Sequence, residues 1–436
     1  MKLSQLAAGL VTLGLTLPVT AVGKTGPTGS GRAVWSWSLA AGYDTYIHTF
    51  PLATDDTTTT ISEMALLVGL EGRSTPGVVH QWRVRPEFSY GTELWRGRID
   101  ASYQYRPDRQ SSSFRLDGFG VARSYRGETD YTLTSDTIEG RITARGFLSP
   151  AGATMGELRL MAGGVQYWDP SILEVSYHDF GGAAYFRAGR DATTQFSVGG
   201  LLRQRAYPDS SVIDRTVTAL EGEFDSVSRT GRGVRIFQRS ERRLIRDETV
   251  RPSAWTHWST LEWLLPLGGF DLTGDIQSEI WQYEKETAAY IDSWRLNTVF
   301  LLKIGGLSAW TWRAGLAAEK LTAGDSPESY NQAGMRVGVE HYSSRFTIST
   351  SVEYGLRDYR FTGTIPKDTE NTLDTVESPI FTYSDFNYWE LWLITTWSLA
   401  PRLSLDVLAN YEPESHTERV DDSAIAFLNV RLVWRP

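Results

Sequence analysis

Leu94–Arg106 reads LWRGRIDASYQYR, and the alternation inside this stretch decides the fold. One set of alternate positions is Arg96, Arg98, Asp100, Ser102, Gln104 and Arg106; the other is Trp95, Gly97, Ile99, Ala101, Tyr103 and Tyr105. Successive side chains of a β-strand point to opposite faces, so this is a strand with one charged face and one apolar face edged by aromatics. In a water-soluble sandwich the charged face looks outward. In a transmembrane barrel it looks into a wet lumen and the apolar face meets lipid.

The same period recurs along the chain. Val79–Tyr90 sets Arg83, Arg85 and Glu87 opposite Trp82, Val84 and Phe88, and Ser112–Arg123 sets Arg115, Asp117 and Arg123 opposite Phe114 and Leu116. Thr137–Leu148 carries Glu139, Arg141 and Arg145, and Met155–Tyr167 carries Glu157 and Arg159. After Ala254 the segments follow in quick succession and bring Arg295, Arg313, Arg336 and Arg357 into the same phase. Counting them predicts about 18–20 strands. Gly231–Arg246 is the weakest segment, since GVRIFQRSERRLIR fits a long charged strand or a short amphipathic helix in a loop or plug, and it is read as a strand. Thr49–Thr60 reads as a Thr-rich loop and Arg360–Asp385 as a long one; either is a candidate to fold inward as a constriction.

Three features separate barrel from sandwich. Many segments run about eleven to thirteen residues, beyond the ~5–6 of a globular strand and matching the ~9–11 of a tilted membrane strand. Connections alternate between tight turns, such as Pro76-Gly77 and Ala400-Pro401, and longer polar loops, as periplasmic turns and surface loops do. Aromatics gather toward the ends of apolar faces: Trp35, Tyr46, Trp82, Tyr90, Trp95, Tyr105, Trp263, Trp310, Trp389, Trp397 and Trp434 form an expected interfacial girdle.

The chain closes on Ala426, Leu428, Val430, Leu432 and Trp434 in alternation. This ending resembles the C-terminal β-signal of bacterial outer-membrane proteins, with Arg435-Pro436 extending past the aromatic. As a pattern the whole mature chain resembles the outer-membrane β-barrels, without the motif of one named family.

Composition agrees. Aromatics are 12% of the chain, with Trp 16 and Tyr 20, yet mean hydropathy is only −0.29, which suits a barrel with a polar lining. Beyond the N-terminus no run approaches the ~20 apolar residues of a spanning helix. Met1-Lys2, the apolar Leu6–Leu17 and the small residues Ala21-Val22-Gly23 read as a signal peptide cleaved after about residue 23. Cys is 0, which excludes disulfides, thiolate metal sites, a lipid-anchor cysteine and covalent haem attachment. The net charge of −9 includes acidic clusters assigned to loops, Asp55-Asp56, Glu412–Glu418 and Asp421-Asp422, and no basic run suggests nucleic acid.

Candidate chemistry lies on the polar face. The lumen and selectivity candidates are Arg83, Arg85, Arg96, Arg98, Asp100, Arg115, Asp117, Arg141, Arg145, Arg159, Arg313 and Arg336. Two readings apply: a ladder of ion pairs that braces a wide wall, or a lining in which arginines favour anions and carboxylates set a transverse field. The six histidines show no metal-ligand spacing. His257-Trp258-Ser259 resembles the His-x-Ser pair of outer-membrane phospholipase A, but Thr260 and Leu261 follow where that family has Asn-Gly, and no group in sequence orients the imidazole.

The reading is an all-β, antiparallel, up-and-down transmembrane barrel of the outer membrane, with short periplasmic turns and longer extracellular loops. It occupies 34–436 as one domain, after a signal peptide over 1–23 and a linker over 24–33. The expected function is a non-enzymatic, cofactor-free channel for small anionic solutes or saccharides, in contact with outer-membrane lipid. The alternative is a sheath around a periplasmic partner chain, a multihaem cytochrome or a polymer-export apparatus, with any haem carried by the partner. A barrel-embedded lipid hydrolase is the remote third.

Overall fold

Period-two alternation runs through 20 antiparallel strands that hydrogen-bond into one sheet in the computed structural model. The structure describes residues 33–435 apart from 52–55, 75–78, 93, 108–111, 126–135, 150–153, 169–174, 192, 287–289, 306–309, 325–327, 361–362, 365–381, 384 and 418–421. The strands are β1 (Ala33–Pro51), β2 (Asp56–Ser74), β3 (His80–Gly91), β4 (Leu94–Tyr105), β5 (Ser112–Tyr125), β6 (Thr137–Leu148) and β7 (Thr154–Tyr167). Then come β8 (Tyr177–Asp191), β9 (Thr194–Ala206), β10 (Arg215–Val227), β11 (Gly233–Ile245), β12 (Ala254–Pro266), β13 (Phe270–Tyr283) and β14 (Ser293–Ile304). The last six are β15 (Trp310–Thr322), β16 (Tyr330–Tyr342), β17 (Phe346–Tyr359), β18 (Phe386–Ala400), β19 (Leu403–His416) and β20 (Ser423–Trp434).

Every strand pairs with its neighbours in sequence, and β1 pairs with both β2 and β20, from Leu39 opposite Trp434 to Thr49 opposite Ala424. The sheet therefore closes and has no free edge, which hydrocarbon requires because it offers no partner to an open ladder. The rim holding Ala33 and Trp434 carries the tight connections, such as 228–232, 267–269, 343–345 and 401–402. The opposite rim carries the long ones: 168–176, 207–214, 246–253, 284–292 and 360–385. The first is the periplasmic rim and the second the extracellular.

Two interruptions of the ladder have one cause. Between β2 and β3 the register runs to Gly69 opposite Glu87 and resumes at Gly72 opposite Val84, and the gap falls on Pro86. Between β18 and β19 it passes from Tyr388 opposite Glu414 to Leu391 opposite Tyr411, and the gap falls on Pro413. Proline has no N–H to donate, so each removes a rung.

Register places directly paired side chains on one face, which divides the wall cleanly. The outer face presents Ile142, Leu158, Leu202, Trp312, Leu316 and Met335, each more than half exposed. Such a belt would aggregate in water; in a bilayer it is the solvent-facing surface. The inner face holds the charged residues, and some of them are buried there among their neighbours: Glu157 is 3% exposed, Glu241 2% and Glu353 4%. Twenty strands ~4.8 Å apart and tilted about 40° enclose a barrel ~40 Å across between backbones, too wide for side chains to fill.

Gly231–Arg246 contains a strand, β11, as expected. The structure corrects three expectations. Thr57–Thr60 are not loop: β1 and β2 pair out to Pro51 and Asp56, so 49–60 is mostly wall and not an infolded constriction, as β-branched threonine favours. Tyr46 shares parity with Asp44 in an unbroken strand and pairs with Phe427 on the lumen face, so it leaves the lipid girdle. Glu412 and Glu414 lie in β19, not in a loop, because Pro413 sits in the opposite phase, where it costs one rung only. The signal peptide, the linker and most of 360–385 lie outside the described residues.

Candidate functional site

The arginines of the opening stretch meet those of neighbouring strands through the register. Arg85 pairs with Asp100, Glu87 with Arg98, Ser102 with Asp117, Gln104 with Arg115 and Phe119 with Arg141. These rows stack into a recess of about 380 Å³ in the lumen wall, lined by Arg83, Arg85, Arg98, Arg115 and Arg141 with Asp100, Asp117, Ser102, Thr143 and Phe119.

Part of this charge is committed internally. Arg98 grips Asp100 with Nε and Nη2 at 2.8 and 2.9 Å, Arg115 donates to Asp117 at 2.8 Å, and Arg83 to Glu71 at 2.9 Å. Arg85 stands 3.8 Å from Glu87 and Arg145 3.9 Å from Asp117. Several of these partners are two apart on one strand, not across strands. Residues i and i+2 share a face, and an arginine stem spans the gap between them. Arg96 and Arg141 have no carboxylate within 4 Å among the described residues, and the Nε of Arg96 is buried without a hydrogen bond. Arg159 is tied to the buried Glu157 at 2.9 Å. Arg313 and Arg336 lie across the barrel, on Glu340 at 3.1 Å and Glu353 at 2.6 Å, and take no part in the recess. Arg106 falls one residue past β4.

Charge is divided around the lumen. On β3–β9 the described lumen-phase positions hold twelve arginines against six carboxylates, Glu87, Asp100, Asp117, Glu139, Glu157 and Asp179. On β10–β20 they hold nine arginines and Lys303 against fifteen carboxylates. Glu241, Glu390, Asp406, Glu412 and Glu414 belong to this acidic set; the sequence hides Glu241 behind the ambiguous phase of β11, and Glu412 and Glu414 behind the apparent loop over 412–418. One wall is net positive, the other net negative, and the field between them crosses the pore.

Buried carboxylates brace both walls. Glu241 accepts from Arg239 at 2.5 Å and from Arg243 at 2.6 Å, and Arg239 also donates to Glu221 at 2.8 Å. Tyr185 donates to Glu221 at 2.9 Å and lies over Gly199; a Cβ at Gly199 would sit 2.1 Å from its ring. Tyr388 repeats the device nearly opposite, donating to Glu353 at 2.6 Å above Gly355, where a Cβ would sit 2.4 Å from its hydroxyl. Each glycine leaves space for a ring to lie flat on the wall and hold a carboxylate in place.

Among the described residues no group of His, Asp and Glu is arranged to hold a metal. His257 and Ser259 face lipid and do not bond each other: His257 Nδ1 lies 2.9 Å from Ser240 Oγ, and Ser259 donates to Gln238.

No known family model matches the sequence, and no curated protein matches it. Among solved structures the chain is similar over 91% of its length to 80% of the siderophore receptor PirA from Pseudomonas aeruginosa, with TM-score 0.55 at 8% identity. A BenF-like porin from Pseudomonas fluorescens Pf-5 gives TM-score 0.49 at 11% identity, covering 92% of this chain and 99% of that one. Pseudomonas aeruginosa OccK2 in complex with glucuronate gives 0.47 at 14%, covering 92% and 98%. These are likenesses of fold, and the assignment rests on the first of them and on the closed barrel itself. The chain has the fold of an outer-membrane β-barrel: a closed, antiparallel, up-and-down barrel of 20 strands.

Proposed function

We propose that this barrel is a passive outer-membrane channel for small anionic solutes, with carboxylates and sugar acids as the fitting class. The observation that supports it is the division of lumen charge, with the arginine recess on the positive wall. Guanidinium groups stay ionised and present a planar fork to a carboxylate. A unit charge 4 Å from an arginine gains ~1 kcal/mol at the dielectric of water and more where the wall excludes water. Arg96 and Arg141, with no carboxylate within 4 Å among the described residues, offer that gain without first breaking an ion pair. The acidic wall opposite holds an anion to the arginine side and lets the hydroxyl-bearing end of a sugar acid face it.

The test is liposome swelling with purified barrel, comparing a hexuronate with the neutral hexose of the same size. Faster entry of the hexuronate at low salt, with the difference shrinking as salt screens the wall, is the expected result. Equal rates at all ionic strengths would remove the anion assignment. A preparation that admits neither sugar and retains a haem-bearing second chain would replace the channel with the sheath.

A further inference from the structure

Among the described residues the lipid-facing surface carries a polar row across four strands that the channel does not use. A row of directly paired positions crosses four strands as Gly222 on β10, Gln238 on β11, Ser259 on β12 and Ser278 on β13. Ser240 and His257 form a second pair just above it, toward the extracellular rim. Trp255 and Trp263 bracket the row on β12, one near each end of the strand, about 27 Å of strand apart at ~3.4 Å per residue. The patch therefore lies inside the hydrocarbon band and not in the headgroups. Elsewhere among the described residues the middle of the band is apolar, as at Ile142 on β6 and Leu393 on β18, or holds threonine, as at Thr350 opposite Leu393. The lipid-phase threonines nearby are satisfied differently: Thr298, Thr350 and Thr395 each donate to a main-chain carbonyl.

Internal bonds satisfy this patch only in part. Ser259 donates to Gln238, Ser240 meets His257, and Ser278 accepts from Trp294 at 3.0 Å. Gln238 is exposed on the outer face, and its amide nitrogen donates, among the described residues, to the Arg239 carbonyl at 3.4 Å, a long bond. A carboxamide turned to hydrocarbon is costly unless another molecule meets it.

We propose that this row is the interface through which two copies of the chain associate in the membrane. Three observations favour a second copy over another occupant. A partner must present polar groups at the same depth, and a two-fold axis along the membrane normal delivers the identical row there without further design. A carboxamide is self-complementary, donor and acceptor together, so Gln238 facing the partner's Gln238 exchanges two hydrogen bonds. Gly222 stands beside it with nothing within 4 Å of a built Cβ, leaving the close approach that small residues allow between membrane segments.

The chain has no cysteine, so a single one reports the contact without background. Gly222→Cys, which the open space accommodates, is expected to give a cross-linked homodimer when outer membranes are treated with a bismaleimide, whose arm spans the two copies of residue 222 lying one strand to either side of the axis. Met335→Cys, on the apolar outer face of β16, gives none. Adding Gln238→Leu to Gly222→Cys should reduce the dimer by about tenfold, the effect of ~1.4 kcal/mol. Heat-modifiable gel mobility checks that every variant is folded. Cross-linking of Gly222→Cys no greater than that of Met335→Cys, or unchanged by Gln238→Leu, overturns the interface. So does a native mass showing one copy with a bound lipopolysaccharide or with a different protein.

Discussion

Glu241→Ala is expected to destabilise the barrel by about 3 kcal/mol, the lower end of the ~3–5 kcal/mol seen when one member of a buried ion pair is removed. The lower end applies because Arg239 and Arg243 remain 28% and 22% exposed to the lumen, so water screens part of the charge left behind. What is left is two guanidiniums held against β10–β12 with Arg215 two strand positions away from Val217, the partner of Arg243. Arg239 keeps Glu221, whereas Arg243 loses its only carboxylate among the described residues and retains the faces of Trp258 and Trp281. Urea unfolding in lipid vesicles measures the change, and Glu241→Gln, which keeps the shape and one acceptor oxygen, should lose less. A change below about 1 kcal/mol would place this cluster among solvated surface pairs, where such values are the rule.

The second large effect is on selectivity. Arg85, Arg96 and Arg141 each have a distant carboxylate or none among the described residues, so replacing them orphans no buried acid. Converting all three to glutamate shifts the wall by six units, the size of its excess on β3–β9. The ratio of anion to cation permeability is expected to fall by about tenfold or more, equivalent to ~1.4 kcal/mol of differential interaction. The same three changes made as lysine should retain the sign of the preference. If glutamate substitution leaves the ratio unchanged, these arginines brace the wall and do not select.

The architecture could be read because its determinants are local. Trp95, Ile99 and Tyr103 against Arg96, Arg98 and Asp100 fix parity within one strand, and every arginine proposed for the lumen takes that phase. What could not be read depends on register or on a broken pattern. Arg98 spends its charge on Asp100, two residues along the same strand, whereas Arg141 meets no carboxylate among the described residues because the register sets it opposite Phe119 and Gly163. β11 looked ambiguous because its lipid phase holds Gln238, Ser240 and Arg242, so both faces are polar and alternation disappears. That ambiguity and the proposed interface are one physical fact. Pro413 disguised a strand as a loop and with it Glu412 and Glu414, two carboxylates of the acidic wall.

An open, anion-preferring lumen is tested most directly by the zero-current potential of the purified barrel in a planar bilayer across a KCl gradient. Stable conductance is expected, with a potential of the sign set by chloride that diminishes as ionic strength rises on both sides. A potential of the sign set by potassium, or a folded barrel that conducts nothing, would contradict it.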